Sequence, residues 1–306
     1  MSENNIIQEQ KTEIPAAAEP AKKKIRVGFI FLAFVPMAVL MMIQTAAQFP
    51  FLMIAAAETA QKAAASVDPL DLYSEMLKIF NEKYAFIAYL IYAVIGLIVF
   101  SIWLYKGFVK KSPKVKLGEV FGVKSVIALV CAVIGLYFFI NAFMTIADKV
   151  IPQAMEEYAE LIEASGLASD ALITIVYGII LGPILEELCF RGVTYGLLEK
   201  AGVKPGVAIA VSAVLFGAMH LIIVQVLYAA FLGLILGYMR YKYHSIKITV
   251  LTHILFNLMG TYGGLLLQDY IVGDAITLIC GGVGMIVVVI ALILINSDKK
   301  ALRTAK

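Results

Sequence analysis

Apolar positions along this chain run on for lengths that a half-buried helix or a strand in a soluble protein does not need. They fill Ile25 to Ala57, Tyr84 to Tyr105, Ser125 to Ala147, Ala171 into Leu185, Pro205 to Met239, Ile248 to Leu267 and Ala275 to Ile295. A helix needs about 20 mostly apolar residues to cross hydrocarbon, and the weaker alternation of barrel strands is absent. The pattern predicts an all-α, polytopic membrane protein of about eight transmembrane helices. To reach that number, Pro205 to Met239 must hold two short spans that turn near Val224 and Gln225.

Polar punctuation divides the chain. Residues 1–24 lack apolar periodicity and contain Pro15, Pro20 and Lys22-Lys23-Lys24, which predicts a disordered cytoplasmic tail. N-terminal transmembrane helices follow over 25–168, a helical core over 169–296 and a second cytoplasmic tail over 297–306. The first apolar stretch is too long for a cleaved signal peptide and reads as a retained anchor. Basic clusters at Lys22 to Arg26, Lys106 to Lys116, Arg240 to Lys247 and Lys299 to Arg303 fall on one side if there are eight spans; Glu156, Glu157, Glu160 and Glu163 fall on the other. Cytoplasmic loops are the ones enriched in Lys and Arg, so both termini are expected in the cytoplasm of a multi-pass cell-membrane protein.

Composition sharpens this. Hydrophobic residues make up 61% of the 306 and charged residues 15%, with a mean hydropathy of +0.90, too apolar for a soluble domain of this length. The net charge of +3 is small and sits in short loops, which gives no case for nucleic acid. The three cysteines, Cys131, Cys189 and Cys280, lie in apolar segments without metal or disulfide spacing and read as small hydrophobes.

Against that background the run Glu186-Glu187-Leu188-Cys189-Phe190-Arg191 stands out, because ionisable groups inside a span cost several kcal/mol and mark function. Glu187 and Arg191 are four apart, with the acid N-terminal, the favourable order for a helical pair. Glu186 points about 100° away from Glu187 and escapes that pair, which makes it the candidate base. A reversal around Lys200 to Pro205, marked by Gly202 and Pro205, puts His220 at nearly the depth of Glu186. Phe216 and His220 share a helix face, as do His253 and Asn257. His253 lies only a few residues beyond Lys247, so reaching Glu186 requires a tilt or a deep cytoplasmic funnel. These groups together predict a polar cavity inside the membrane.

The EExxxR stretch of Glu186, Glu187 and Arg191, the FxxxH stretch of Phe216 and His220 and the HxxxN stretch of His253 and Asn257 resemble the three motifs of the CPBP family, the CAAX proteases and bacteriocin-processing enzymes also called Abi, in the family order over roughly 170–260. The resemblance implies an intramembrane glutamic endopeptidase. Glu186 and His220 would activate water, His253 with Asn257 would stabilise the oxyanion, and Glu187 and Arg191 would hold the site's shape, with Phe216 a supporting residue that packs in any reading. The short loops and compact form look like a bacterial member, for which peptide pheromones, bacteriocin leaders or membrane regulators replace prenylated proteins as candidate substrates. The implied partners are the lipid bilayer and a membrane protein or peptide substrate.

Other readings of the same residues are bland or belong to other classes. Asn257 could join helices by hydrogen bonding, and Gly233 and Gly237 are spaced for close helix contact. HExxH, a rhomboid-type GxSG and paired intramembrane aspartates are all absent. Zinc on Glu186, His220 and His253 is the alternative to a cofactor-free site; the resemblance favours glutamate-activated water without metal. A non-proteolytic scaffold or regulator would use the same helices to hold a partner. A proton-coupled transporter would use Glu and His as a relay, though no internal repeat of the transporter kind is evident.

Overall fold

The computed structural model describes residues 25–62, 68–111, 116–164, 171–267 and 269–298. The tail expected at 1–24 lies outside the described residues, as does the one expected at 297–306 except for Ser297, which ends the last helix, and Asp298. Every regular element among the described residues is helical. The first stretch forms α1 (Val27–Leu32) and α2 (Val35–Lys62), separated by a break of two residues. Next come α3 (Pro69–Ile79), a π-helical turn over Phe80–Tyr84, and α4 (Ala85–Gly107); Asp68 caps α3 by accepting from the Leu70 amide. After the short α5 (Leu117–Val120), α6 (Val123–Val150) leads into the amphipathic α7 (Pro152–Ala164).

The motif segment is one helical rod of changing pitch. It runs through α8 (Ala171–Ile173), a π segment over Thr174–Leu181, α9 (Gly182–Glu187), a second π segment over Leu188–Thr194 and α10 (Tyr195–Ala201). It stops where expected, at Gly202, whose φ of 80° is the left-handed conformation that glycine adopts without strain. Extended Lys204 and Pro205 then start α11 (Pro205–Ala218), proline being suited to the first helical position. The chain turns over residues 219–222 and returns as α12 (Ile223–Tyr243), followed by α13 (Ile246–Leu267) and α14 (Asp274–Ser297).

The turn expected near Val224 and Gln225 is therefore displaced: both residues lie inside α12, and the break comes at Met219 to Ile222. Neither Gly nor Pro marks it, which is why the sequence hid it. Among the described residues six helices are long and apolar enough to cross a membrane, and Pro205–Ala218 is a shorter apolar helix. About eight spans are thus not confirmed. At 14 residues α11 is roughly 21 Å long, short of a hydrocarbon core of about 30 Å, so it is too short to cross one as an untilted span.

Small residues set the packing, as they do where lipid gives helices no hydrophobic reason to associate. A Cβ on Gly135 would lie 2.6 Å from the Gly284 carbonyl, and one on Gly281 would lie 2.2 Å from the Ala142 methyl, so α6 and α14 touch backbone to backbone. Gly233 and Gly237 likewise seat α12 on Ala213 and Ile209 of α11. Gly192 and Gly196 receive Leu104 and Phe108, which lays α4 parallel to the motif rod. Large apolar side chains such as Phe31, Ile98, Val214 and Ile286 point outward, the surface expected against lipid. The chain is a multi-pass membrane protein.

These contacts fix the two ends. The Arg26 amide donates to Ala201 O, Lys200 Nζ to Gly107 O and Lys242 Nζ to Asn296 Oδ1, which gathers Arg26, Lys106, Lys110, Lys200, Lys204, Lys242 and Lys247 at one end. Lys149 pairs with Asp274 and Lys83 with Glu58 at the other, together with Asp68, Asp71, Glu156, Glu157, Glu160 and Glu163. The segregation of charge read from the sequence is present in the described residues. One end is basic and the other acidic.

Candidate active site

The motif residues of three helical segments meet in the middle of the bundle. Arg191 Nη1 donates to Glu187 Oε1 at 2.8 Å, and both side chains are fully buried. His253 Nδ1 donates to the same Glu187 oxygen at 3.1 Å. That bond turns His253 Nε2 towards Glu186, whose Oε2 lies 3.6 Å away, and fixes the ring orientation from outside the reacting group. Glu186 is the one member of this cluster that keeps some exposure, 16% of its side chain. The two adjacent glutamates thus occupy different environments, one sealed and one facing open space.

Phe216 is the hub of the packing. The Arg191 guanidinium sits over its ring at 4.4 Å, and the rings of Phe190, His220 and His253 stand edge-on to it at 5.4, 5.2 and 5.6 Å. A cation over an aromatic face is stabilised by the ring quadrupole, most strongly when water is excluded. This matters because Arg191 Nε and Nη2 and Glu187 Oε2 have no hydrogen-bond partner. The short α11 carries Phe216 to the level of Arg191 and His253, and His220 follows on the turn, its Nδ1 donating to Phe216 O at 3.0 Å.

His220 is not in ion-pair contact with either glutamate; the imidazole against them is His253. The equal depth counted for Glu186 and His220 therefore does not translate into an ion pair; α11 ends at Ala218 and His220 lies in the turn that follows. Asn257, one turn beyond His253, donates from Nδ2 to Gly178 O at 2.8 Å and ties α13 to the first π segment. Of the residues singled out from the sequence, Glu186, Glu187, Arg191, Phe216 and His253 form one cluster, and His220 and Asn257 flank it.

Two supporting contacts escaped the sequence reading. Ser212 Oγ donates to Phe190 O at 2.9 Å and Arg240 Nε to Arg191 O at 3.2 Å, so consecutive carbonyls of the second π segment are held from α11 and α12. Ser212 had a usable signal, since Ser212, Phe216 and His220 recur every four residues along one face. Arg240 had none that separated it from an ordinary loop cation. π-helical turns are rare and concentrate at functional sites, and here two of them bracket the paired glutamates.

A cavity of about 710 Å³ lies beyond Asn257, with Gly178, Tyr228 and Asn257 among its lining residues and none of Glu186, Glu187, Arg191, Phe216 or His253. A funnel reaching His253 from the basic end was one expectation; this cavity instead lies among the helix halves nearer the acidic end. The cysteines are free, and Cys189 is fully buried in the motif rod. Among the described residues no three His, Cys, Asp or Glu side chains are gathered as a metal site.

Residues 168–259 match the family model Type II CAAX prenyl endopeptidase Rce1-like. The chain carries an Rce1-like core. The family is one of membrane-embedded proteases and belongs with the CPBP group, for which Abi is a related name. The matched segment contains the motif rod, the α11–α12 hairpin and the part of α13 that bears His253 and Asn257. No curated protein and no solved structure matches the chain.

Proposed function

We propose that this protein is an intramembrane endopeptidase that hydrolyses a peptide bond of a membrane-associated protein or peptide by glutamate-activated water. The observation that supports it most directly is the split between neighbouring carboxylates. Glu187 is consumed by Arg191 and His253 in a dry cluster, while Glu186 keeps an oxygen at the edge of open space, 3.6 Å from His253 Nε2.

In this reading Glu186, assisted by His220, takes a proton from water as the water oxygen bonds to the scissile carbonyl carbon. The remaining amide hydrogen of Asn257 donates to the oxyanion that forms, joined by His253 Nε2 when both ring nitrogens carry hydrogen, since Nδ1–H is already given to Glu187. Collapse of the tetrahedral intermediate breaks the C–N bond, and the proton on Glu186 passes to the departing nitrogen. Glu187 and Arg191 touch no substrate; they hold His253 and the rod in place. The site works without metal in this proposal, so a zinc chelator should leave turnover unchanged, and loss of turnover restored by zinc would replace Glu186, His220 and His253 in the role of ligands.

The basic end faces the cytoplasm by the usual bias of Lys and Arg, which puts both termini there in a cell membrane. The test of activity is a comparison of membrane peptides from cells carrying the native protein and Glu186→Ala. A substrate should accumulate uncut in the variant while the protein stays folded in the membrane. Undiminished turnover by Glu186→Ala would reject the proposal. Glu186→Gln separates hydrolysis from a scaffolding role, because a scaffold keeps its cellular phenotype with the neutral isostere.

A further inference from the structure

The basic end of the bundle is not uniform. Arg240 pairs with Glu199, and Lys242 Nζ donates to Asn296 Oδ1, so the charges at the end of α12 have partners on neighbouring elements. A second group lacks counter-charges. Arg26, Lys106, Lys110, Lys200 and Lys204 are all exposed, and among the described residues none of them pairs with a carboxylate.

Separate parts of the chain bring these five to one corner. The Arg26 amide donates to Ala201 O at 2.9 Å, which sets the start of α1 beside the end of α10. Lys200 Nζ donates to Gly107 O at 2.6 Å and lies 4.2 Å from the centre of the Phe108 ring. Phe108 itself packs on Gly196, where a Cβ would come within 2.6 Å of the ring. Lys106 and Lys110 flank Gly107 and Phe108 in sequence. Lys204 follows across the Gly202 turn as the residue that precedes α11, and the positive end of the α11 dipole adds charge of the same sign. The contacts that gather these groups are hydrogen bonds to carbonyls and an aromatic face, none of which cancels net charge, so the five repel one another until an anion arrives.

Apolar groups border the same corner. Val27 and Phe31, one turn apart on α1, are exposed, as is Val207 in the first turn of α11. Basic side chains at the rim with exposed hydrocarbon contact on the same helices match a phospholipid, whose phosphate lies at the membrane surface and whose chains run inward.

We propose that this corner binds the headgroup of an anionic phospholipid, with the acyl chains lying on Val27, Phe31 and Val207. The chemistry recognised is a phosphate ester of net negative charge; free phosphate shares the anion and lacks the chains. The leaflet is that of the basic end, which by the bias of Lys and Arg faces the cytoplasm, the side on which membranes carry anionic lipid. None of the five side chains pairs with Glu186 or Glu187, so the site stands whether or not the chain cleaves peptides.

The test is thermal unfolding of the full chain in neutral detergent as dioleoylphosphatidylglycerol, dioleoylphosphatidylcholine or inorganic phosphate is titrated in, since a ligand of the folded state raises the midpoint with its occupancy. Phosphatidylglycerol should act at lower concentration than phosphatidylcholine. Arg26→Gln combined with Lys204→Gln should raise the phosphatidylglycerol concentration needed for half the shift by roughly tenfold or more. Lys242→Gln combined with Lys247→Gln removes the same charge elsewhere on that end and should change it by less than about twofold. Equal action of the two lipids overturns the proposal, and so does an equal loss in both double variants, which would reduce the effect to overall charge. Inorganic phosphate acting at the same concentration as phosphatidylglycerol overturns it too, because the chains would then contribute nothing. If the Arg26 and Lys204 glutamine variant does not fold, Arg26→Lys combined with Lys204→Arg must keep the native preference, and added NaCl must abolish that preference in the native chain; a preference indifferent to salt would refute the role of the headgroup.

Discussion

The helices that close around Arg191 come apart around Asn257. On the basic side of the glutamates every residue of the motif rod from Glu187 to Leu198 is buried; on the acidic side the rod, α6, α7 and α13 leave about 710 Å³ between them. The contrast is chemical as well as geometric. The fully buried Glu187–Arg191 pair has lost its solvation, so its charges are compensated by one another, by His253 and by the ring of Phe216. A site that adds water to a peptide must admit both reactants. Neighbouring residues on one rod, Glu186 and Glu187, lie on opposite sides of this boundary.

The largest way to break the comparison is to remove one charge from the sealed half. Glu187→Ala leaves the Arg191 guanidinium buried with only the Phe216 ring for company and frees His253 Nδ1. Losing one partner of a buried pair costs roughly 3–5 kcal/mol, against total stabilities that are only a few times larger. Thermal unfolding in detergent should show the midpoint collapse, and activity should fall with it. Glu186→Ala should leave that midpoint nearly in place, since this side chain is partly exposed and makes no bond to Arg191. Equal destabilisation by both substitutions would erase the boundary between them.

A smaller effect should come from the contacts that hold the wide turns. Ser212→Ala leaves the Phe190 carbonyl without its donor in a buried segment, a loss of about 1–3 kcal/mol. The sealed half should loosen without losing its ion pair. Ser212→Thr keeps the hydroxyl and should recover most of the midpoint, and failure of that rescue would assign the effect to volume instead of to the hydrogen bond.

Much of this was legible in the chain and the rest was hidden for physical reasons. The apolar runs, the reversal at Gly202 and Pro205, the segregation of basic and acidic loops and the Glu187–Arg191 pair follow from local spacing, because hydrophobic length, left-handed glycine and i,i+4 geometry are local properties. The stop after Ala218 was not visible, since Met219 to Ile222 contains no breaker residue; nor were the π segments, which change pitch without any signature in residue type. Those two features decide that His253, and not His220, lies against the glutamates. Counting along ideal helices set His220 at the depth of Glu186, while the imidazole within 3.6 Å of Glu186 is that of His253. The position of the cavity belongs to packing among distant elements, and no single segment encodes it.

The smallest expected effect sharpens the comparison from the open side. Tyr158 of α7 and Tyr228 of α12 meet across the cavity with their hydroxyls 3.4 Å apart and their rings edge-to-face at 6.3 Å. A contact that long contributes little, so Tyr158→Phe, which keeps the ring, should move the unfolding midpoint by no more than the equivalent of about 0.5 kcal/mol. A midpoint shift as large as that of Ser212→Ala would mean that α7 is part of the sealed packing after all, and that the bundle is closed on both sides of the glutamates until something opens it.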